Sequence, residues 1–230
     1  MQRELARKLE VTMKMGASAR RRLHFENFPK NAAVIFLGWV VVSLTFLTGA
    51  WGGGTPTGAV KETVDQVFVV LRDQALKDPA RETERRAKLE EIIGQRFDYA
   101  EMAKRTLASQ WKGLSPEQQQ EFVTLFQQFL ANSYVGNVDG YSGEQVEYLK
   151  EREKGEFAEV QTKVVSPKVQ IPLDYRLLQK NGEWRVYDVV IDGVSLMKNY
   201  RGQFSRIINS SSFEGLLEKL RSKADLGASS

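Results

Sequence analysis

The chain has 230 residues, 42% apolar and 27% charged, the balance of an ordinary globular protein long enough to bury a core. It contains no cysteine and a single histidine, His24, which excludes disulfide frameworks, thiolate metal sites, lipidated cysteines and, beyond His24, every histidine-based catalytic or metal arrangement. The net charge is +4, but eight Lys/Arg against three Glu in residues 1–59 carry +5 of it, so the rest is −1 and lacks the basic footprint of a nucleic-acid binder.

Residues 1–30 are polar and basic, ending in Arg20-Arg21-Arg22. An uncharged apolar run follows from Ala32, and small residues surround Ala50 and Ala59, the two candidate cleavage positions of a secretory signal. Met13 and Met15 are alternative starts, because the basic region is long for such a signal. The run is also long enough, at ~20 residues, for an uncleaved membrane anchor, and Arg20-Arg21 also fits a twin-arginine export signal. On every one of these readings the part beyond Trp51 is exported. Gly52 to Gly58 reads as a flexible linker, so that residues 1–59 form signal or anchor plus linker.

The folded domain is expected over residues 60–223. Val64, Val67, Phe68, Leu71 and Ala75 recur at helical spacing over Lys61 to Leu76. A charged helix follows from Arg81 to Ile93, with Gly94 as its expected stop. Asp98 and Glu101 mark a helix start, and that helix should reach about Ala108. Ser115-Pro116-Glu117-Gln118 opens another, whose Phe122, Leu125, Phe126, Phe129 and Leu130 make a wide aromatic face.

After Gly136 the period changes from helical to alternating. Strands are predicted at Val146 to Lys150, Phe157 to Val165, Val169 to Gln179 and Trp184 to Ile191. Asn181-Gly182 is the favoured two-residue hairpin turn, and Asp192-Gly193 a second turn signal. Ser195 to Asn209 then forms a helix with Leu196, Tyr200, Phe204 and Ile207 as its apolar stripe. A last helix spans Phe213 to Lys223, and residues 224–230 read as a disordered tail. Helices, strands and helices without βαβ alternation give an α+β fold, an antiparallel sheet of about four strands with helices on one face.

The run Tyr187-Asp188-Val189-Val190-Ile191-Asp192-Gly193-Val194-Ser195-Leu196, with Asn199-Tyr200-Arg201 and Gln203-Phe204, resembles the signature of the MlaC-type phospholipid-binding proteins. The likeness extends more loosely over Val60 to Leu220. It implies a periplasmic lipid carrier of the outer-membrane asymmetry pathway, without catalysis or cofactor, whose helices and sheet stand apart to enclose acyl chains; an NTF2-like cone is one such arrangement. It also implies partners, namely phospholipid as cargo, an inner-membrane ABC transporter complex with a lipid-binding ring protein, and an outer-membrane lipoprotein complex.

Apolar stripes are ordinarily core, because any helix on a sheet buries its apolar face. On the resemblance, some line a pocket instead. The candidates are Phe122, Leu125, Phe126, Phe129 and Leu130 from one helix, and Leu196, Tyr200, Phe204 and Ile207 from another. From the sheet come Ile171, Leu173, Tyr175, Trp184, Val186 and Val189, the last depending on which face of its strand turns inward. Arg185, Asn199 and Arg201 are candidates to meet a lipid head group, with a solvated face as the competing role for the arginines. Two other functions stay open at this point: an α+β enzyme with an apolar substrate pocket, needing a buried pair such as Asp174 with Asp188, or a membrane-anchored interaction domain.

Overall fold

The computed structural model describes residues 54–134, 143–166 and 170–228. The leader, the apolar run, Gly136 and Val169 lie outside the described residues, as do Ser229 and Ser230. Among the described residues no helix is long and apolar enough to cross a membrane.

Helix α1 (Pro56–Arg72) begins inside the stretch expected as linker. Thr55 accepts a hydrogen bond from the Gly58 N–H at 3.0 Å, and Pro56 occupies the start, where no N–H is needed. Two short 3-10 turns, Ala75–Lys77 and Pro79–Arg81, lead into α2 (Glu82–Arg96). Gly94 does not stop this helix, contrary to expectation. The chain leaves at Phe97, which turns extended and forms a parallel bridge with Val186, while the Asp98 N–H donates to the Val186 carbonyl at 2.9 Å. A tertiary bond, and not the local glycine, fixes this end.

Helix α3 (Tyr99–Leu107) is capped as predicted, Asp98 accepting from the Glu101 N–H at 2.9 Å. After the 3-10 segment Ala108–Gly113 comes α4 (Pro116–Tyr134). Ser115 accepts from the Gln118 N–H at 3.3 Å while the Gln118 side chain accepts from the Ser115 N–H at 3.0 Å, a reciprocal capping box.

The strands β1 (Gln145–Lys154), β2 (Phe157–Val165), β3 (Gln170–Lys180), β4 (Glu183–Ile191) and β5 (Val194–Ser195) form an antiparallel meander in sequence order. The fifth strand is two residues long and follows from Asp192 and Gly193, both at positive φ like Asn181 and Gly182 in the other hairpin. Two bulges interrupt the ladder. One falls at Leu149 on the edge strand β1, whose Lys150-Glu151-Arg152-Glu153-Lys154 is charged throughout. The other falls at Tyr187, where Arg176 pairs with Asp188 but Leu177 pairs with Val186. This second bulge answers the question of facing: Trp184 and Val186 before it and Val189 after it join one cluster despite the odd spacing.

Helix α5 (Leu196–Ser210) and helix α6 (Phe213–Ala228) complete the fold, α6 extending beyond the expected end at Lys223. Three apolar clusters hold the layers. The largest joins α3, α4, α5 and α6 around Phe122, Phe126, Phe129, Tyr200 and Phe204. A second packs Ala59 and Val60 of α1 on Val160, Leu177, Trp184 and Val186 of the sheet. The third seats α1 against α2 through Val70, Leu71, Leu76 and Leu89.

Candidate functional site

The inner face of the sheet is sealed at one end and open at the other. Val160 and Leu177 are 0% exposed under the first turn of α1. Further along the same face Val146, Val164, Leu173, Tyr175 and Ile191 are only half-buried. The helices stand off the strands there and leave two neighbouring apolar cavities.

The smaller, about 250 Å³, lies between the end of α2, α3, the end of α4 and strands β3 and β4. Ile93, Phe97, Tyr99, Met102, Leu130, Ala131, Tyr134, Leu173, Tyr175, Val189, Ile191 and Leu196 line it, with Glu90. The larger, about 370 Å³, lies between α1 and strands β1 to β4, against Val60, Val64, Val67, Phe68, Val146, Val164 and Val186, with Thr63 and Arg96. Ile93, Phe97, Leu173 and Tyr175 belong to both walls.

The polar groups around these cavities are spoken for or uncharged. Arg96 donates to Thr63 Oγ1 at 3.0 Å, to the Trp184 carbonyl at 3.1 Å and to Glu62 at 2.9 Å. Glu90 pairs with Arg86 at 2.8 Å. Burial pushes the Tyr99 phenol up to about 12, with the nearby Glu90 carboxylate acting in the same direction, and burial raises Tyr175 as well. Both phenols are neutral at physiological pH, so the walls suit hydrocarbon.

Of the pocket candidates, Leu130, Leu173, Tyr175, Val186, Val189 and Leu196 face these cavities. Phe122, Leu125, Phe126, Phe129, Tyr200 and Phe204 do not; they fill the helical core, where the Phe204 ring meets those of Phe122 and Phe126 edge to face at 5.9 and 5.7 Å. Ile207 is half-buried against that same core, Trp184 lies in the sealed part of the sheet, and Ile171 lines neither cavity. Tyr200 touches the smaller cavity only through a neighbour, its hydroxyl 3.0 Å from that of Tyr134.

The head-group candidates also sit elsewhere. Arg185 bonds Glu183 at 2.6 Å and the Gln95 carbonyl, beside a polar groove shared with Lys180. Arg201 donates to the Arg105 carbonyl at 2.9 Å and ties α5 to α3. Asn199 accepts from Gln203 one helical turn away. The sequence does not reveal the contribution of α1 and of α2 with its end: Val64, Val67, Phe68, Ile93 and Phe97 all belong to the walls. Their signal was present in the apolar stripe of α1, but periodicity gives the stripe and not what it faces.

Asp188 is 3% exposed and structural in its bonding. It accepts from Arg176 at 3.1 Å, from the Ser195 hydroxyl at 2.7 Å and from the Met197 N–H at 3.0 Å, joining β4 to the start of α5. Burial raises the Asp174 carboxyl above the ordinary aspartate range, but neither Asp174 nor Asp188 faces the apolar cavities. Asp174 and Asp188 therefore do not form a carboxylate pair in either cavity.

Comparison with known proteins places this sequence and geometry beside a known family. The family model described as MlaC protein matches residues 61–222. The intermembrane phospholipid transport system binding protein MlaC of Haemophilus influenzae is 26% identical over 126 residues, 52% of this chain and 59% of that protein, so the similarity spans well under two thirds of the relative's length. A phospholipid-binding protein from Ralstonia solanacearum, solved in complex with a phospholipid, superposes with a TM-score of 0.70 over 76% of this chain and 99% of that one, at 24% identity. That last likeness is one of fold.

Proposed function

Because the chain belongs to the MlaC family, its match covering residues 61–222, we propose that it is a periplasmic carrier that takes the acyl chains of a phospholipid into the cleft between sheet and helices. The observation that supports this reading most directly is the half-buried stretch of the inner face of β1 to β4 beneath an apolar helix. A closed globular core has no reason to leave Val146, Val164, Leu173 and Ile191 short of neighbours. Each methylene withdrawn from water is worth ~0.8 kcal/mol, so a lipid crossing an aqueous space must be wrapped, and unfilled apolar walls offer that wrapping.

On this reading the protein is not a catalyst and needs no cofactor; the phospholipid is cargo. Its partners are an inner-membrane ABC transporter complex with a lipid-binding ring protein and an outer-membrane lipoprotein complex, between which it shuttles. The basic leader directs export. Cleavage after Ala50 suits the fold, since a cut after Ala59 would remove the Thr55 cap, the first turn of α1 and the bond from the Thr57 N–H to Glu151 at 2.7 Å.

The test is direct. Protein purified from the periplasm is extracted with organic solvent and the extract examined by mass spectrometry, with the mature N-terminus sequenced in parallel. We expect phospholipid at a fixed ratio to protein and a start after Ala50. Repeated preparations free of lipid, from cells with normal membranes, would overturn the carrier reading.

A further inference from the structure

Helices α3 and α5 pack against each other with one-sided charge. Between them they hold five cations, Lys104, Arg105, Lys198, Arg201 and Arg206, and a single anion, Glu101, although the chain beyond residue 59 has a net charge of −1. Lys104 and Arg105 both reach Glu101, at 3.6 and 2.8 Å, which puts them on one face of α3. Arg201 crosses from α5 to the Arg105 carbonyl, and Lys198 lies three residues before it on the same face. Four cations thus form one strip across the two helices, with Glu101 offsetting one of them. Lys198 and Arg201 are exposed and hold no ion pair among the described residues.

Apolar side chains stand at both ends of this strip. Phe157 is 46% exposed; its ring meets that of Tyr187 edge to face at 6.0 Å, and the Arg105 guanidinium lies over Tyr187 at 3.9 Å. Val194, 41% exposed, precedes the Ser195 cap of α5, one turn from Lys198. None of the four cations lines a cavity described above, so the strip offers no hollow to grip a protruding side chain. Cations spread over helix backs and bordered by exposed hydrocarbon match a layer of phosphates above an apolar interior.

We infer that this face docks on the surface of an anionic phospholipid bilayer, its four cations level with the phosphates and Phe157 and Val194 entering the head-group layer. Each cation held near such a surface adds about fivefold in affinity, so the strip acts by sum and its attachment is screened by salt. The inference concerns the outside of two helices and does not depend on what the cleft contains.

Vesicle sedimentation tests it. Processed protein from the periplasm is used, because the leader is itself basic. It is spun down with vesicles of phosphatidylcholine alone and with vesicles that also contain phosphatidylglycerol. The protein should sediment with the second kind at low ionic strength, should be released by added salt, and should leave the first kind largely bare. Lys104→Gln with Lys198→Gln should lower the partition coefficient by about twentyfold. Lys77→Gln with Lys150→Gln removes the same charge from exposed positions on other elements and should change it by less than about twofold. Phe157→Ser should lower it by about threefold. Equal losses in the two double variants would make net charge the cause and overturn the strip, and an undiminished Phe157→Ser would overturn the seating of that ring. A wild type that ignores both vesicles at low ionic strength overturns the bilayer and leaves the strip to an acidic protein. None of these outcomes bears on the carrier reading, which the solvent extraction tests.

Discussion

The helical core and the cleft are built from the same kinds of residue and have opposite interiors. Between α4 and α5 the rings of Phe122, Phe126 and Phe204 are 0–4% exposed, and Phe204 meets the stacked Phe122 and Phe126 edge to face. Across the molecule, between α1 and the sheet, Val64, Val67, Phe68 and Leu173 are half-buried around open volume. An apolar helical stripe therefore says that a surface avoids water, but not whether protein or ligand covers it. What separates the two cases is how closely the walls meet: rings from α4 and α5 close on one another in the helical core, whereas the helices stand off Val146, Val164, Leu173 and Tyr175 of the sheet in the cleft.

Truncation should separate the two regions most sharply. Phe126→Ala removes a ring at 0% exposure and should destabilise the protein by about 3–5 kcal/mol in denaturant unfolding, through lost transfer energy and a new cavity. Leu173→Ala, in the cleft, removes a half-buried side chain beside space that already exists, and should cost about 1 kcal/mol, while weakening lipid retention. Equal losses at the two sites would mean the cleft is as tightly filled as the core, and the contrast would fail.

The smallest effect is expected at the junction of the regions. Asp98 bonds β4 through its backbone, caps α3 and pairs with Lys180 at 2.8 Å. Burial opposes its charge, yet the Lys180 ammonium and the Glu101 N–H hold its carboxyl below the ordinary aspartate range. A lowered folded value means this stabilisation is complete above the unfolded aspartate pKa and disappears as pH falls through the folded one. Asp98→Asn should therefore cost about 0.5 kcal/mol at neutral pH, since Lys180 is largely exposed, and should flatten the acid limb of a stability-against-pH curve. An unchanged acid limb would remove Asp98 from the account.

The fold was readable wherever a local signal controls the outcome. The Asp98 and Ser115 caps, the Asn181-Gly182 turn and the strand alternation all act through residues adjacent in sequence. Gly94 is a false signal because the end of α2 is set by the bond from the Asp98 N–H to Val186, a residue distant in the chain. The facing of β4 was unreadable for a related reason: the bulge at Tyr187 is a property of two strands in register and not of one. For the site, Leu173, Tyr175, Val186 and Val189 of the sheet are legible from alternation, whereas α1 and α2 can be assigned to the cleft only once it is known which helix lies over which strands.

The bulged, charged edge of the sheet has a bearing on how the molecule meets other copies of itself. An open strand edge invites a second molecule to add its own strand, and an oily interior nearby makes such partners sticky. The kink at Leu149 and the run from Lys150 to Lys154 deny that edge a flat, uncharged partner. Self-association into fibrils is thereby resisted at the margin of the very sheet whose inner face is apolar and only half-buried.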